Sequence, residues 1–175
     1  MNLTWKRIQL RKSVSSDYPY FKNFLSSESF LQYMTYNPMQ NQKEFDDFLR
    51  ELFSKHDSPD FFCGPFSILF QDIPVGMIGL GYKDEADVKY ELWYLLNPEY
   101  FGQGIVQDAV ECVLDYCKSF RIVKNVCAYS VIKNEKSSKL LYRNNFKLIE
   151  TFKNGFEKNN EKFDVQYFEL DISIY

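Results

Sequence analysis

A short turn that joins an apolar strand-like run to an amphipathic helix constrains this chain more than any other feature. Residues 91–96 are aromatic or aliphatic apart from Glu91, and Asn97-Pro98 ends that run because proline has no amide hydrogen for a strand ladder. Downstream, apolar residues recur at helical spacing and predict a helix from about Gly104 to Phe120. The turn consists of Tyr100, Phe101, Gly102, Gln103, Gly104, Ile105 and Val106.

The start of this helix lacks the residues that normally satisfy its free amide groups. Positions 102–107 carry no Ser, Thr or Asp cap and no carboxylate, and Asp108 falls on the predicted polar face. Glycines at 102 and 104 let an external group approach the backbone, and the helix dipole favours a negative one. The turn is therefore a candidate phosphate site. The alternative is a glycine-rich turn whose amides face only water.

Two common phosphate-binding patterns fit the turn poorly. A P-loop requires Gly-Lys followed by Ser or Thr, which this turn lacks. A dinucleotide fingerprint requires a third glycine, where Gln107 stands, and a carboxylate that ends the next strand. That strand is predicted at 125–131, and residues 130–133 contain no carboxylate.

The turn resembles instead the acetyl-coenzyme A site of the GNAT acetyltransferases, and the resemblance extends along almost the whole chain. In that family a strand leads into Arg/Gln-x-x-Gly-x-Gly/Ala, whose amides hold the coenzyme pyrophosphate. Here Gly104 is kept, Phe101 replaces the basic or amide residue, and Val106 replaces the small one. An aromatic residue at the first position is common in the branch that resembles the ribosomal-protein N-acetyltransferases.

A second block carries the same resemblance. Residues 134–146 match the branch pattern Asn-x-x-Ser-x-x-Val/Leu-Leu-Glu-Lys-x-Gly-Phe at nearly every defined position. Asn145 stands at the glycine, and asparagine tolerates the left-handed conformation that ends a helix. Leu141 occupies the position of the tyrosine that is the general acid in many GNAT enzymes, and Tyr142 follows one position later.

The resemblance implies a mixed α/β GNAT fold, with a mostly antiparallel sheet of about seven strands flanked by about four helices. In the family, the strand corresponding to 93–96 diverges from the one at 126–131, and the thioester enters that opening. The apolar periodicity fits this order. It predicts a strand at 8–11, helices from about Ser16 and over 42–55, and hairpins over 66–80 and 148–172 with turns at 71–74 and 158–161.

Composition and charge narrow the class of protein. The chain has the length and the aromatic content of one domain, 1–175, and we expect it to be cytoplasmic because it has no apolar signal region or membrane-spanning run. A net charge of -3 without a Lys/Arg cluster argues against nucleic-acid partners. His56 is the single histidine and is expected in a surface loop, so we expect no metal site. Reduced core thiols are expected at Cys63, Cys112, Cys117 and Cys127.

The chemistry that the resemblance implies is direct attack of a primary amine on the thioester of acetyl-CoA. A thiol has a pKa of about 8.5 and an alkyl amine one of about 10, so deprotonation of the amine matters more than protonation of the leaving group. Glu91, a lone carboxylate in an aromatic strand, is the candidate base. An exposed carboxylate at a strand end is the alternative.

The resemblance also implies roles for several other residues. A backbone amide at Leu95 or Leu96 would stabilise the oxyanion. Ser137 would donate to the departing sulfur, although capping of the helix is its alternative role. Asn134 would bind the pantetheine amides. Tyr142 would line the same arm and is a weaker second candidate donor.

The connection at 29–41 is the candidate acceptor site, where Tyr33 and Tyr36 offer aromatic faces to an amine near Glu91. Ordinary packing against the sheet is the alternative. Acidic residues recur nearby and are either an acidic acceptor side or two solvated faces: Glu44, Asp46, Asp47, Glu51 and 84–87. The resemblance permits a protein N-terminus, a polyamine or another small amine as acceptor, and leaves a homodimer open. The alternative function is a non-catalytic acyl-CoA-binding or interaction module.

Overall fold

The computed structural model describes residues 2–56, 64–84, 89–120 and 123–174. Its strands are β1 (Asn2–Trp5), β2 (Ile8–Lys12), β3 (Pro65–Phe70), β4 (Ile73–Asp84), β5 (Lys89–Leu96), β6 (Asn125–Val131), β7 (Lys147–Lys158) and β8 (Glu161–Asp171). The helices within the described residues are α1 (Tyr18–Leu25), α2 (Gln42–His56), α3 (Ile105–Lys118) and α4 (Glu135–Arg143). The strands form one eight-stranded sheet in the order β1-β2-β3-β4-β5-β6-β8-β7. This mixed sheet with its flanking helices confirms the expected GNAT fold.

The sheet exceeds the expected number of strands because the N-terminal residues form a strand of their own. In β1, Leu3 and Trp5 are half-buried and alternate with exposed polar residues. Two apolar residues are too short a pattern to predict a strand from the sequence. β1 pairs antiparallel with β2, and the tight turn between them carries Lys6 and Arg7.

A cleft opens between β5 and β6. These strands are parallel neighbours, whereas the other neighbouring strands of the sheet pair antiparallel. Their register covers residues 89–91 of β5 and 125–127 of β6 and ends there. Beyond it, β5 continues to Leu96 and β6 to Val131 without pairing to each other. This separation lies where the family resemblance implied one.

Helices cover both faces of the sheet. Side chains of α3 and α4, such as Val110 and Leu141, belong to the larger apolar core on one face. Side chains of α1 and α2, such as Phe21 and Phe45, belong to the core on the other face. The cleft therefore lies between the start of α3 on one face and the α1–α2 connection on the other.

The turn between β3 and β4 is shorter than the four residues predicted at 71–74. Gln71 and Asp72 have φ angles of 52° and 64° and make a two-residue turn of the kind that matches strand twist. Ile73 already belongs to β4. Pro74 pairs with Leu69 where the register shifts at a β-bulge, a position that tolerates the missing amide hydrogen of proline.

The structure agrees with the prediction for three cysteines and differs from the prediction for the histidine. Cys112, Cys117 and Cys127 are buried thiols, which confirms the expected core thiols, while Cys63 lies outside the described residues. The prediction that His56 lies in a loop is wrong, because α2 extends to this residue. No helix in the described part of the chain is long and apolar enough to span a membrane.

β7 forms one edge of the sheet and is exposed along most of its length. Ile149 and Phe152 on this strand are 55% and 38% exposed. An edge strand with exposed apolar side chains can pair with another strand. The homodimer stays a prediction.

Candidate functional site

A cavity of about 470 Å³ lies where β5 and β6 separate. Five segments line it: residues 91–94 of β5, residues 128–131 of β6, residues 33–36 of the α1–α2 connection, Asn134 and Ser137 of α4 and the turn before it, and Gly155, Phe156 and Val165 of the β7–β8 hairpin. The cavity thus brings together the predicted site residues Glu91, Asn134, Ser137, Tyr33 and Tyr36.

Glu91 is half-buried in the cavity wall, at the last position where β5 pairs with β6. Tyr36 lies near it on the acceptor side. Burial raises the pKa of Tyr36, and the negative charges of Glu91 and Glu51 raise it further. Two carboxylates thus act on the Tyr36 side chain, and negative charge near this ring favours a cationic ligand.

The other acidic side chains of α2 are engaged outside the cavity. Asp46 accepts a hydrogen bond from the Ser15 hydroxyl at 2.6 Å, and Asp47 pairs with Lys43 and Arg50. Glu44 accepts from the backbone amide of Gln40 at 2.7 Å and from the side chain of Asn41 at 2.6 Å. Solvated charges are the right interpretation for these three residues, whereas Glu51 acts on Tyr36. Of the segment 84–87, residues 85–87 lie outside the described residues.

A pair of hydroxyl groups lies at the cavity between β5 and α4. The Tyr94 Oη and Ser137 Oγ atoms are 2.8 Å apart, and both residues line the cavity. Burial raises the pKa of Tyr94 to about 12, although the hydrogen bond with Ser137 acts in the opposite direction. Tyr94 is therefore protonated at neutral pH. The two hydroxyls use one proton in their mutual hydrogen bond and keep the other for a ligand.

The backbone of β5 distinguishes between the two predicted oxyanion donors. Asn97 N donates to Val75 O at 2.8 Å and so belongs to a hydrogen-bonded pair of the β4–β5 ladder. Such pairs recur at every second residue of antiparallel strands, so Leu95 directs its N–H toward Met77 of β4. Leu96 directs its N–H to the other side, toward the cleft. Of the two predicted donors, Leu96 is thus the one whose N–H faces the cleft.

The start of α3 is open to a ligand. Gly104 precedes the helix with a φ of 74° and no side-chain cap, and the first helical hydrogen bond runs from Asp108 N to Gly104 O at 3.1 Å. A β-carbon at Gly102 would meet no atom within 4 Å. In the described residues, no side chain accepts a hydrogen bond from the amides of 102–107. An uncapped, sterically open helix start fits the pyrophosphate of a coenzyme A thioester.

Cationic side chains from other elements flank this helix start, although the turn itself carries none. Arg7 Nε donates to Asp108 Oδ2 at 2.9 Å, and Arg7 Nη2 donates to the carbonyl oxygen of Gln103. Asp108 was expected on the polar face, but it is buried, and Arg7 offsets its charge. Lys136 Nζ of α4 lies 5.0 Å from the centroid of the Phe101 ring. Arg7 and Lys136 thus place positive charge where the family motif has a basic residue and this chain has Phe101.

The remaining predicted coenzyme residues differ in exposure. Phe101 and Gln103 are exposed, Ile105 is buried, and Val106 is half-buried against the larger core. Tyr142 is 50% exposed, packs on Phe168 and does not line the cavity. Successive helical residues are rotated by about 100°, so the neighbouring Leu141 enters the core while Tyr142 faces outward.

Aromatic rings form the acceptor side of the cavity. Tyr33 and Tyr36 are held by edge contacts, Tyr33 with Phe163 at 5.6 Å and Tyr36 with Phe48 at 4.9 Å between ring centroids. Trp93 of β5 also lines the cavity, a role that its sequence position did not indicate. A β-carbon at residue 79 of β4 would lie 2.4 Å from the Trp93 ring, so the glycine there permits this ring position.

Comparisons with known proteins agree with this geometry. Residues 7–147 match the family model described as the acetyltransferase (GNAT) domain. The chain is similar to an uncharacterized N-acetyltransferase, YnaD of Bacillus subtilis (strain 168), with 22% identity over 170 residues that cover 97% of this chain and 96% of the relative.

Two solved structures extend the comparison to the fold. RimL, a ribosomal L7/L12 alpha-N-protein acetyltransferase in complex with coenzyme A, has a TM-score of 0.89 at 17% identity and covers 100% of both chains. A spermidine N-acetyltransferase from Vibrio cholerae, in complex with CoA and spermine, has a TM-score of 0.81 at 17% identity, covering 95% of this chain and 96% of its own. The fold, the cleft and the matched family model agree, and this chain belongs to the GNAT acetyltransferase family.

Proposed function

We propose that this chain is an acetyl-CoA-dependent N-acetyltransferase that transfers the acetyl group directly to a primary amine. The observation that carries the proposal is that one cavity is lined both by a carboxylate, Glu91, and by a hydroxyl pair, Tyr94 and Ser137. The open start of α3 supplies the second requirement, an anion site for the coenzyme. When bound there, acetyl-CoA supplies an activated acyl group as its thioester.

The residues of the chain divide the proton chemistry between two sides of the cavity. Glu91, directly or through a water, accepts the proton that the amine loses as its nitrogen forms the new bond to the acetyl carbon. The carbon–sulfur bond breaks, and the Ser137–Tyr94 pair donates its remaining hydroxyl proton to the departing sulfur. The N–H of Leu96 faces the cleft and can donate to the carbonyl oxygen.

The acceptor side favours a cationic amine. The charges of Glu51 and Glu91 act on Tyr36, and the rings of Tyr33, Tyr36 and Trp93 offer faces to an ammonium group. Of the similar structures, one is named an alpha-N-protein acetyltransferase and the other a spermidine N-acetyltransferase. For this chain we propose a small polycation or a protein N-terminal amine as the acceptor class.

The experiment that tests this function measures coenzyme A release from acetyl-CoA with a panel of amines. The panel contains spermidine, spermine, an aminoglycoside and peptides with free N-termini, each peptide matched by its N-blocked form. We expect acceptor-dependent release that the N-blocked peptides do not support. Tight binding of acetyl-CoA without release by any acceptor would contradict an enzyme and select the acyl-CoA-binding module instead.

Glu91→Gln is expected to lower kcat/KM for a cationic amine about tenfold and to leave acetyl-CoA affinity nearly unchanged. The loss is expected to grow at low pH, where less of the amine is already neutral and deprotonation in the site matters more. A pH–rate profile of the variant and the wild type measures both effects. Glu51→Gln is the matched control. Glu51 does not line the cavity but its charge acts on Tyr36, so this variant removes a nearby negative charge without removing the candidate base. An unchanged profile in Glu91→Gln would exclude Glu91 as the base.

Arg7→Met is expected to weaken acetyl-CoA binding about tenfold, because it removes a cation from the helix start and leaves the buried Asp108 carboxylate less compensated. Titration calorimetry at two salt concentrations measures the loss, and the variant should show the weaker salt dependence. Lys118→Met, at the opposite end of α3, is the matched control. Equal affinities for Arg7→Met and Lys118→Met would show that Arg7 has no part in coenzyme binding.

A further inference from the structure

A lysine at the tip of the β7–β8 hairpin contacts the acceptor site. β7 ends at Lys158, and a two-residue turn follows in which Asn159 and Asn160 have φ angles of 52° and 63°. Asparagine tolerates this left-handed conformation, so the turn is tight and the strand end is well defined. The Lys158 side chain is half-buried although it lies at the tip of a hairpin.

The Lys158 ammonium is surrounded by backbone carbonyl groups of the α1–α2 connection. Its Nζ donates to Leu31 O at 2.8 Å, to Met34 O at 2.8 Å and to Tyr36 O at 2.6 Å. An ammonium group has three N–H donors and no acceptor, so these contacts use its full capacity. Beside it, Asn159 Nδ2 donates to Glu28 Oε1 at 2.8 Å.

The segment that Lys158 contacts is the acceptor wall of the cavity. Residues 33–36 line the cavity, whereas Leu31 before them and Met39 after them are buried in the core of α1 and α2. Between these two anchors the segment is neither helix nor strand, and its backbone hydrogen bond from Met34 N to Leu31 O is local. Three carbonyl oxygens that point to one ammonium therefore fix the path of this wall.

We infer that Lys158 is a positioning residue for the acceptor site: its ammonium holds residues 31–36 in the conformation that presents Tyr33 and Tyr36 to the amine. This inference rests on the proposed function only for its kinetic consequence. The contact between the hairpin and the acceptor wall exists whatever the acceptor is. Phe156 and Gly155 of the same hairpin line the cavity, so the hairpin both forms and orders this side of the site.

Lys158→Met tests the inference, because methionine keeps most of the aliphatic stem and removes the three donors. We expect KM for the amine to rise about tenfold, in line with the loss of hydrogen bonds to a charged group, while the acetyl-CoA dissociation constant changes less than about twofold. Hydrogen exchange of the backbone amides in 26–41 should become faster. Lys153→Met, an exposed lysine of the same strand, is the matched control and should change neither quantity.

Each result decides for or against the inference. Faster exchange in 26–41 with an unchanged KM would overturn the positioning role, and unchanged exchange would overturn the contact itself. If Lys158→Met does not fold, Lys158→Gln retains two donors and should show a smaller change of the same sign. If the wild type turns over no amine, the proposed function fails, and exchange together with acetyl-CoA affinity still tests whether Lys158 orders the segment.

Discussion

Replacing Gly104 with aspartate is expected to weaken acetyl-CoA binding by at least about 100-fold, because a carboxylate would repel the pyrophosphate at a helix start that now offers it amide donors and carries no negative side chain in the turn. Gly104 has a φ of 74°, and a β-carbon there would lie 3.1 Å from Arg7 Nη2. The new carboxylate would therefore also compete for the nearest cation. Titration calorimetry measures the affinity, and thermal unfolding checks that the variant folds.

Gly104→Asn separates the charge from the shape. Asparagine has nearly the same size as aspartate and tolerates a positive φ, as Asn145 and Asn154 already do in this chain at 64° and 52°. We expect Gly104→Asn to lose less affinity than Gly104→Asp. If both variants bind acetyl-CoA as tightly as the wild type does, the coenzyme phosphates do not lie at this helix start.

Local signals predicted the helix start and the strand before the cleft well. Proline at 98 ends β5 at Leu96, and two glycines with no cap residue give the open start of α3. Asn145 has a φ of 64°, as expected for asparagine in place of a glycine that ends a helix. These features depend on residues adjacent in sequence, whose conformational preferences act before any long-range contact is made.

The contacts that complete the site join residues far apart in sequence and could not be predicted in this way. Arg7 reaches Asp108 only because β1 and β2 place their turn beside α3. Lys158 reaches Leu31 from the tip of a hairpin at the other end of the chain. Sheet register and helix placement determine such pairs, and neither follows from the periodicity of one segment. The residues adjacent to a lysine or arginine in sequence therefore do not indicate that its side chain contacts the site.

The pairing of Ser137 with Tyr94 has the same origin and leads to the second large effect. Ser137→Ala is expected to lower kcat about 10- to 100-fold, at the low end for loss of a general acid, because a thiolate leaves readily even without a donor. Tyr94→Phe should cost less, since the tyrosine orients the serine hydroxyl and Ser137 would keep its own proton. The double variant should match Ser137→Ala alone, as expected for two groups that act as one unit.

The pH dependence and a neighbouring tyrosine make this prediction specific. Burial raises the pKa of Tyr94 to about 12, so the pair stays protonated below that pH, and the ratio of kcat between Ser137→Ala and wild type should be constant across neutral pH. Tyr142→Phe is the matched control, because Tyr142 lies on the same helix but outside the cavity, and it should leave kcat unchanged. A larger loss for Tyr94→Phe than for Ser137→Ala would make Tyr94 the terminal donor. A large loss for Tyr142→Phe with Ser137→Ala silent would mean that the leaving group departs on the side of α4 that carries Tyr142.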